Sequence, residues 1–170
     1  MDRAEIIRCL TALAERLSAR GIRGDLYLVG GAAMALAFDA RHATKDVDAV
    51  FAPKSEIYEA AREIAKEFGL PDGWLNDAVK GYIGRPDPAA LPVLDLPGLR
   101  VMAASARHLL AMKCLAARRE DEEDLRFLLA RVGIKSVSDA MEIVQAVYPE
   151  ARIPPRARFM LEEIFGPRGD

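Results

Sequence analysis

The pattern that most constrains this chain is a pair of short segments. Leu26-Tyr27-Leu28-Val29 is a compact apolar run that stops at Gly30-Gly31, and Asp46-Val47-Asp48 follows after the spacer 32–45. The first segment reads as a buried strand entering a tight turn. Ala32 to Phe38, rich in Ala, Met and Leu, reads as a short helix, Asp39 to Thr44 as a loop, and Lys45 to Phe51 as a second strand ended by Ala52-Pro53. Residues i and i+2 of a strand project from one face. Asp46 and Asp48 therefore stand side by side, while Val47 and Ala49 face the other way. Two carboxylates so placed resist ionising together. A divalent cation relieves that conflict, and hard oxygen donors suit Mg²⁺ (or Mn²⁺), which keeps its remaining positions for water and phosphate oxygens. A Gly-Gly turn that opens a helix lets backbone N–H groups approach a phosphate, and the helix N-terminus favours its charge. Either half alone has a plainer reading, as a tight turn or as a pair of solvated acids. The conjunction points to a triphosphate held at Gly30 and Gly31 beside a metal held by Asp46 and Asp48.

The rest of the chain frames that site. Ile6, Leu10, Leu13 and Leu17 recur at helical spacing, so 2–20 reads as an amphipathic helix ended by Gly21. Ser55 is placed to cap a helix running to Phe68, with Gly69 as its stop. Residues 70–98 are broken by prolines 71, 86, 88, 92 and 97. Trp74 to Val79 reads as one or two helical turns. Val93–Leu96 and Leu99–Ala103 read as strands about a Pro97-Gly98 turn. Helices follow over Ala106–Arg118, Asp121–Arg131, Ser136 to about Val147, and from Pro154-Pro155 to Phe165. Trp74 reads as core or pocket wall, with base stacking as the sharper alternative; Asn76 and Asp77 would line the same pocket. The order of elements predicts an α/β (α+β) fold: a small mixed sheet flanked by helices over 1–104, and a helical C-terminal part over 105–170 packed on it as one globular unit.

Composition excludes several functions. The chain has 170 residues, which suits about one domain. Its 24 basic and 26 acidic residues are spread evenly, so there is no basic arm for bulk capture of nucleic acid. Any RNA contact would come from local residues such as Arg41, Arg107, Arg118 and Arg119. Cys9 and Cys114 lie inside predicted helices beside leucines and read as small buried hydrophobes in a reducing compartment. The acidic, polar start is unlike a signal peptide. The longest near-apolar stretch, Leu26 to Phe38, is too short to span a bilayer and contains the Gly-Gly break. A cytoplasmic protein with no membrane contact is expected. His42 and His108 have no partner at zinc-ligand spacing.

The residues 28–31 and 46–51, within LYLVGGAAMALAFDARHATKDVDAVF, resemble the nucleotidyltransferase superfamily related to DNA polymerase beta, and look like its DUF6036 branch, which is similar to the abortive-infection AbiEii toxins. The resemblance implies that Arg41 and Thr44, ahead of the Asp-x-Asp strand, assist nucleotide binding. It implies that Lys113 binds phosphate, and that Asp124, and less strongly Asp121, serve catalysis from the start of the next helix. Without the resemblance, these acids would simply stabilise a helix N-terminus. It also implies a third carboxylate on a later strand, with Asp95 a candidate against Asp121 or Asp124. One departure from the family pattern is that Ala32-Ala33, rather than a serine, follows the glycine pair. The implied activity is transfer of an NMP from an NTP to a hydroxyl of tRNA or of protein, with a cognate antitoxin or toxin as partner. The alternative is an inactive binding module, or an antitoxin-like protein, on the same fold.

Overall fold

The computed structural model describes residues 1–40 and 43–166. They form two compact units, each described by itself. One contains Met1–Gly81 with Ala90–Ala104; the other contains Tyr82–Ala89 with the chain from Ser105 onward.

The first unit is built on a five-stranded mixed sheet. Its strands are β1 (Gly24–Leu28), β2 (Val47–Ala52), β3 (Leu75–Asn76), β4 (Leu91–Leu96) and β5 (Leu99–Ala103), in the order β3-β2-β1-β5-β4. β1 runs antiparallel to β2 and parallel to β5; β3 runs parallel to β2, and β4 antiparallel to β5. Period-2 alternation gives the sheet two unlike faces. Leu26, Leu28, Val47, Ala49, Phe51 and Val101 are buried on one; Asp25, Asp48, Val50 and Arg100 project from the other.

Helices α1 (Arg3–Ala19) and α3 (Lys54–Phe68) lie against the apolar face. Leu17 of α1 and Ile57 of α3 come within 3.0 and 3.1 Å of where a Cβ on Gly24 would stand. Helix α1 starts at a full capping box, in which Asp2 accepts from the Glu5 N–H and Glu5 accepts from the Asp2 N–H, both at 2.8 Å. Its stripe Ile6, Leu10, Leu13 and Leu17 is buried, as the spacing predicts. A side chain on Gly98 would collide with α1, since a Cβ there would lie 2.1 Å from the Ala14 carbonyl. The β4–β5 turn can therefore close on the helix only through glycine.

Two local expectations are corrected. Helix α3 begins two residues earlier than Ser55 would dictate, with Pro53 at its N-cap and no side-chain cap. The segment expected as helical turns from Trp74 is instead strand β3, followed by a 3₁₀ turn over Ala78–Tyr82. Backbone pairing decides this: the Val47 N–H donates to the Trp74 carbonyl at 2.6 Å, and β3 continues that ladder on the outer side of β2.

The second unit is helical: α4 (Ala106–Ala116), α5 (Glu122–Val132), α6 (Val137–Val147) and α7 (Pro155–Phe165). Leu109, Leu110, Leu125, Leu128, Val144 and Leu161 form its core. Ser105 and Ser136 cap α4 and α6, and Gly133 ends α5 in the left-handed conformation. The strap Tyr82–Ala89 is tied to these helices. The Arg85 N–H donates to the Val147 carbonyl at 3.0 Å, and the Ser105 N–H donates to the Asp87 carboxylate at 2.8 Å. Among the described residues, no helix is long and apolar enough to cross a membrane.

Candidate nucleotide and metal site

The site grows out of the junction between β1 and its following helix. The Val29 N–H donates to the Asp48 carbonyl at 3.0 Å, which ties the end of β1 to β2. The chain then turns at Gly30, with φ at +59°, into helix α2 (Gly30–Phe38). The N-cap residue Val29 makes no side-chain hydrogen bond to the first N–H groups of α2. The partial positive end of this helix lies beside Asp48. A Cβ on Gly30 would stand 3.3 Å from Asp48 Oδ2. Gly31 lies in the first turn and is partly exposed.

Asp46 precedes β2 by one residue and Asp48 is its second residue; both are half-buried. The Thr44 hydroxyl donates to the Asp46 carbonyl at 3.1 Å, so Thr44 shapes the entry to the strand through the backbone. Asn76 of β3 pairs with Asp48 in register, and its Nδ2 donates to Asp46 Oδ2 at 3.3 Å. The structure thus brings together Gly30, Gly31, Asp46, Asp48, Thr44 and Asn76. Arg41 lies outside the described residues.

Asp95 and Trp74, in the same unit, lie elsewhere. Asp95 does not join the aspartate pair. It sits on β4, its side chain is 72% exposed, and its carboxylate pairs with Arg23 at 2.6 Å. β1 and β5 intervene between β4 and β2, which at about 4.8 Å per strand is a separation of about 14 Å. Among the described residues, no group of three His, Cys, Asp or Glu side chains is placed to hold a metal ion. Trp74 is core: its indole is buried and donates to the Ala61 carbonyl at 2.9 Å, which leaves no ring face for stacking on a base.

Lys113, Asp121 and Asp124 meet in the helical unit. The Lys113 ammonium lies 2.6 Å from Asp121 and 2.7 Å from Asp124, and all three residues are buried. Asp121 makes no capping hydrogen bond to α5; its carboxylate reaches back to α4 instead. Burying these charges is tolerable only because each is paired.

A second cluster, of which the sequence singles out only Asp77, adjoins Asn76. Tyr58 donates to the Asp77 carboxylate at 2.6 Å, and Lys54 lies 2.5 Å from it. The Lys54 ammonium and the Tyr58 hydroxyl together hold the Asp77 carboxyl down at about 2. No spacing in the chain links Lys54, Tyr58 and Asp77, because the contacts depend on how β3 docks beside α3.

A family model described as a nucleotidyltransferase of unknown function (DUF6036) matches residues 6–151. The chain belongs to that family. The match spans the Gly30–Asp48 region as well as Lys113, Asp121 and Asp124, so the mixed sheet and helices α4 to α6 of the second unit fall within the DUF6036 nucleotidyltransferase match. No curated protein and no solved structure matches the chain.

Proposed function

We propose that this DUF6036 protein transfers a nucleoside monophosphate from an NTP to a hydroxyl group, with Asp46 and Asp48 holding Mg²⁺ or Mn²⁺. The observation that carries this reading is that Asp48, on the polar sheet face, stands beside the start of α2 at Gly30, with Asp46 just before β2 and bonded to Asn76, the register partner of Asp48. The donor set suits a hard cation: two carboxylates, one amide alongside, and remaining positions left to water and phosphate. The cradle at Gly30 suits it too, since any side chain there would crowd the Asp48 carboxylate. When bound, the cation would neutralise charge on the triphosphate and on the departing pyrophosphate.

The chain's own residues then have distinct tasks. The first N–H groups of α2, from Gly30 and Gly31, bind phosphate oxygens. Asp46 and Asp48 set where the triphosphate lies relative to the incoming hydroxyl, and this positioning is the main catalytic contribution. The resemblance supports Lys113 as a phosphate ligand and Asp124 as a catalytic acid; Asp121 and Asp124, at 2.6 and 2.7 Å, occupy two of the three N–H donors of the Lys113 ammonium. The likeness to AbiEii toxins supports tRNA or a protein hydroxyl as acceptor, and a toxin role with a cognate antitoxin. Two free, buried cysteines fit a reducing, cytoplasmic setting.

The test is incubation of the protein with each α-labelled NTP, Mg²⁺, total RNA and total protein. Label is expected in tRNA or in a protein band, and is expected to disappear with Asp46→Asn and Asp48→Asn. Transfer that persists undiminished in both variants would overturn the proposal. The Ala32-Ala33 pair, which offers no hydroxyl to a triphosphate, favours a second reading as an inactive binding module or antitoxin-like partner. That reading predicts no label in either pool and no Mg²⁺-dependent NTP affinity.

A further inference from the structure

β2 has a single neighbour on its outer side, and that neighbour is two residues long. Val47 pairs with Leu75 and Asp48 with Asn76. Leu75 is fully buried, so strand alternation carries Asn76 to the face that bears Asp48. The orientation of its amide is set from both ends. Oδ1 accepts the Ala78 N–H at 3.1 Å, which leaves Nδ2 to donate to Asp46 Oδ2 at 3.3 Å.

The backbone around Asn76 is held on each side. Before it, the Trp74 carbonyl accepts from the Val47 N–H at 2.6 Å. After it, the Asp77 N–H donates to the Tyr58 hydroxyl oxygen at 3.2 Å, while the Asp77 carboxylate takes the Tyr58 hydroxyl and the Lys54 ammonium. Asn76 therefore sits on a short strand anchored to both β2 and α3. Asn76 thus places an amide, not a carboxylate, beside Asp46; Asp95, on β4, is paired with Arg23.

Building on the reading of Asp46 and Asp48 as metal ligands, we propose that Asn76 is a positioning residue. Its Nδ2–H holds Asp46 Oδ2, which leaves Oδ1 to face the cation. Because the amide is neutral, the protein's own ligand charge stays at that of two carboxylates, matched to one divalent ion. Partners that orient a metal-binding carboxylate typically change metal affinity by about 10–100-fold when removed.

The test uses the full chain without nucleotide, titrated with Mn²⁺ and followed by the electron paramagnetic resonance signal of free Mn²⁺. The wild type is expected to take one Mn²⁺. Asn76→Ala is expected to bind it at least about tenfold more weakly, with its circular dichroism spectrum unchanged. Asn76→Asp, which keeps a short polar side chain on β3 and adds a third carboxylate, is expected to bind Mn²⁺ more tightly or to take a second ion. Wild-type affinity in Asn76→Ala, two ions in the wild type, or wild-type behaviour of Asn76→Asp would each overturn the proposal. Asp46→Asn and Asp48→Asn are run alongside. If both retain wild-type Mn²⁺ affinity, the metal-site reading itself fails; if both lose it while Asn76→Ala does not, only the role of Asn76 fails.

Discussion

Gly30 stands so close to Asp48 that a Cβ added to it would lie 3.3 Å from the carboxylate oxygen Oδ2. The same residue holds φ at +59°, a conformation that costs a side-chain-bearing residue about 1–2 kcal/mol. Backbone conformation thus favours glycine, and a Cβ there would make the Asp48 carboxylate give by a few tenths of an ångström. Gly30→Ala is expected to lower stability by about 1–2 kcal/mol and to weaken Mn²⁺ binding by displacing Asp48. Denaturant unfolding and the Mn²⁺ titration check the two parts separately.

The Lys113 triad yields a prediction about the helical unit. Lys113→Met would leave Asp121 and Asp124 buried without their counter-charge, a loss of about 3–5 kcal/mol. Neutralising the acids as well, in Lys113→Met with Asp121→Asn and Asp124→Asn, is expected to recover most of that loss. Urea unfolding followed by circular dichroism would show it; equal stability of the single variant and the wild type would contradict a structural role.

Asp77 makes stability depend on acid. Lys54 and then Tyr58 hold its carboxyl at about 2, below the ordinary 3.8. A carboxylate with a depressed folded-state value stabilises fully above 3.8, and the contribution fades as pH falls towards 2. Asp77→Asn is expected to remove that part of the acid limb between pH 4 and pH 2 and to leave the rest. Thermal unfolding midpoints of the two proteins across this window provide the comparison.

The cysteines are expected to be inert in the folded protein. Burial pushes the Cys114 thiol up to about 12 and raises that of Cys9, so little of the reactive thiolate exists near neutral pH. Alkylation by iodoacetamide at pH 8, followed by mass spectrometry, should leave both unmodified until denaturant is added. Labelling of Cys114 in native buffer would show that α4 opens.

The local patterns in the chain were informative wherever a local rule decides the outcome. Ile6, Leu10, Leu13 and Leu17 define a helix face because 3.6-residue periodicity does, and Val47, Ala49 and Phe51 are buried together because strands alternate. Gly30 signalled its turn because few other residues accept its backbone, with φ at +59°. In each case, chain neighbours carry the signal.

Tertiary structure decided what depends on which segments become neighbours. Two residues are too few for β3 to show any periodicity; it exists because its backbone completes the hydrogen bonding of β2. Its docking brings Asn76 to Asp46, 30 positions away in the chain. Strand order likewise sets Asp95 at the far edge, although its strand-like surroundings were legible. Asp121 and Asp124 have the spacing of acids that favour a helix start, yet their carboxylates are drawn to Lys113, because a buried ammonium must be paired. Sequence periodicity dictated the faces of the elements, and the Asp-x-Asp spacing marked the aspartate pair. Burial and backbone pairing between distant segments determined that an amide, not a third carboxylate, stands beside that pair.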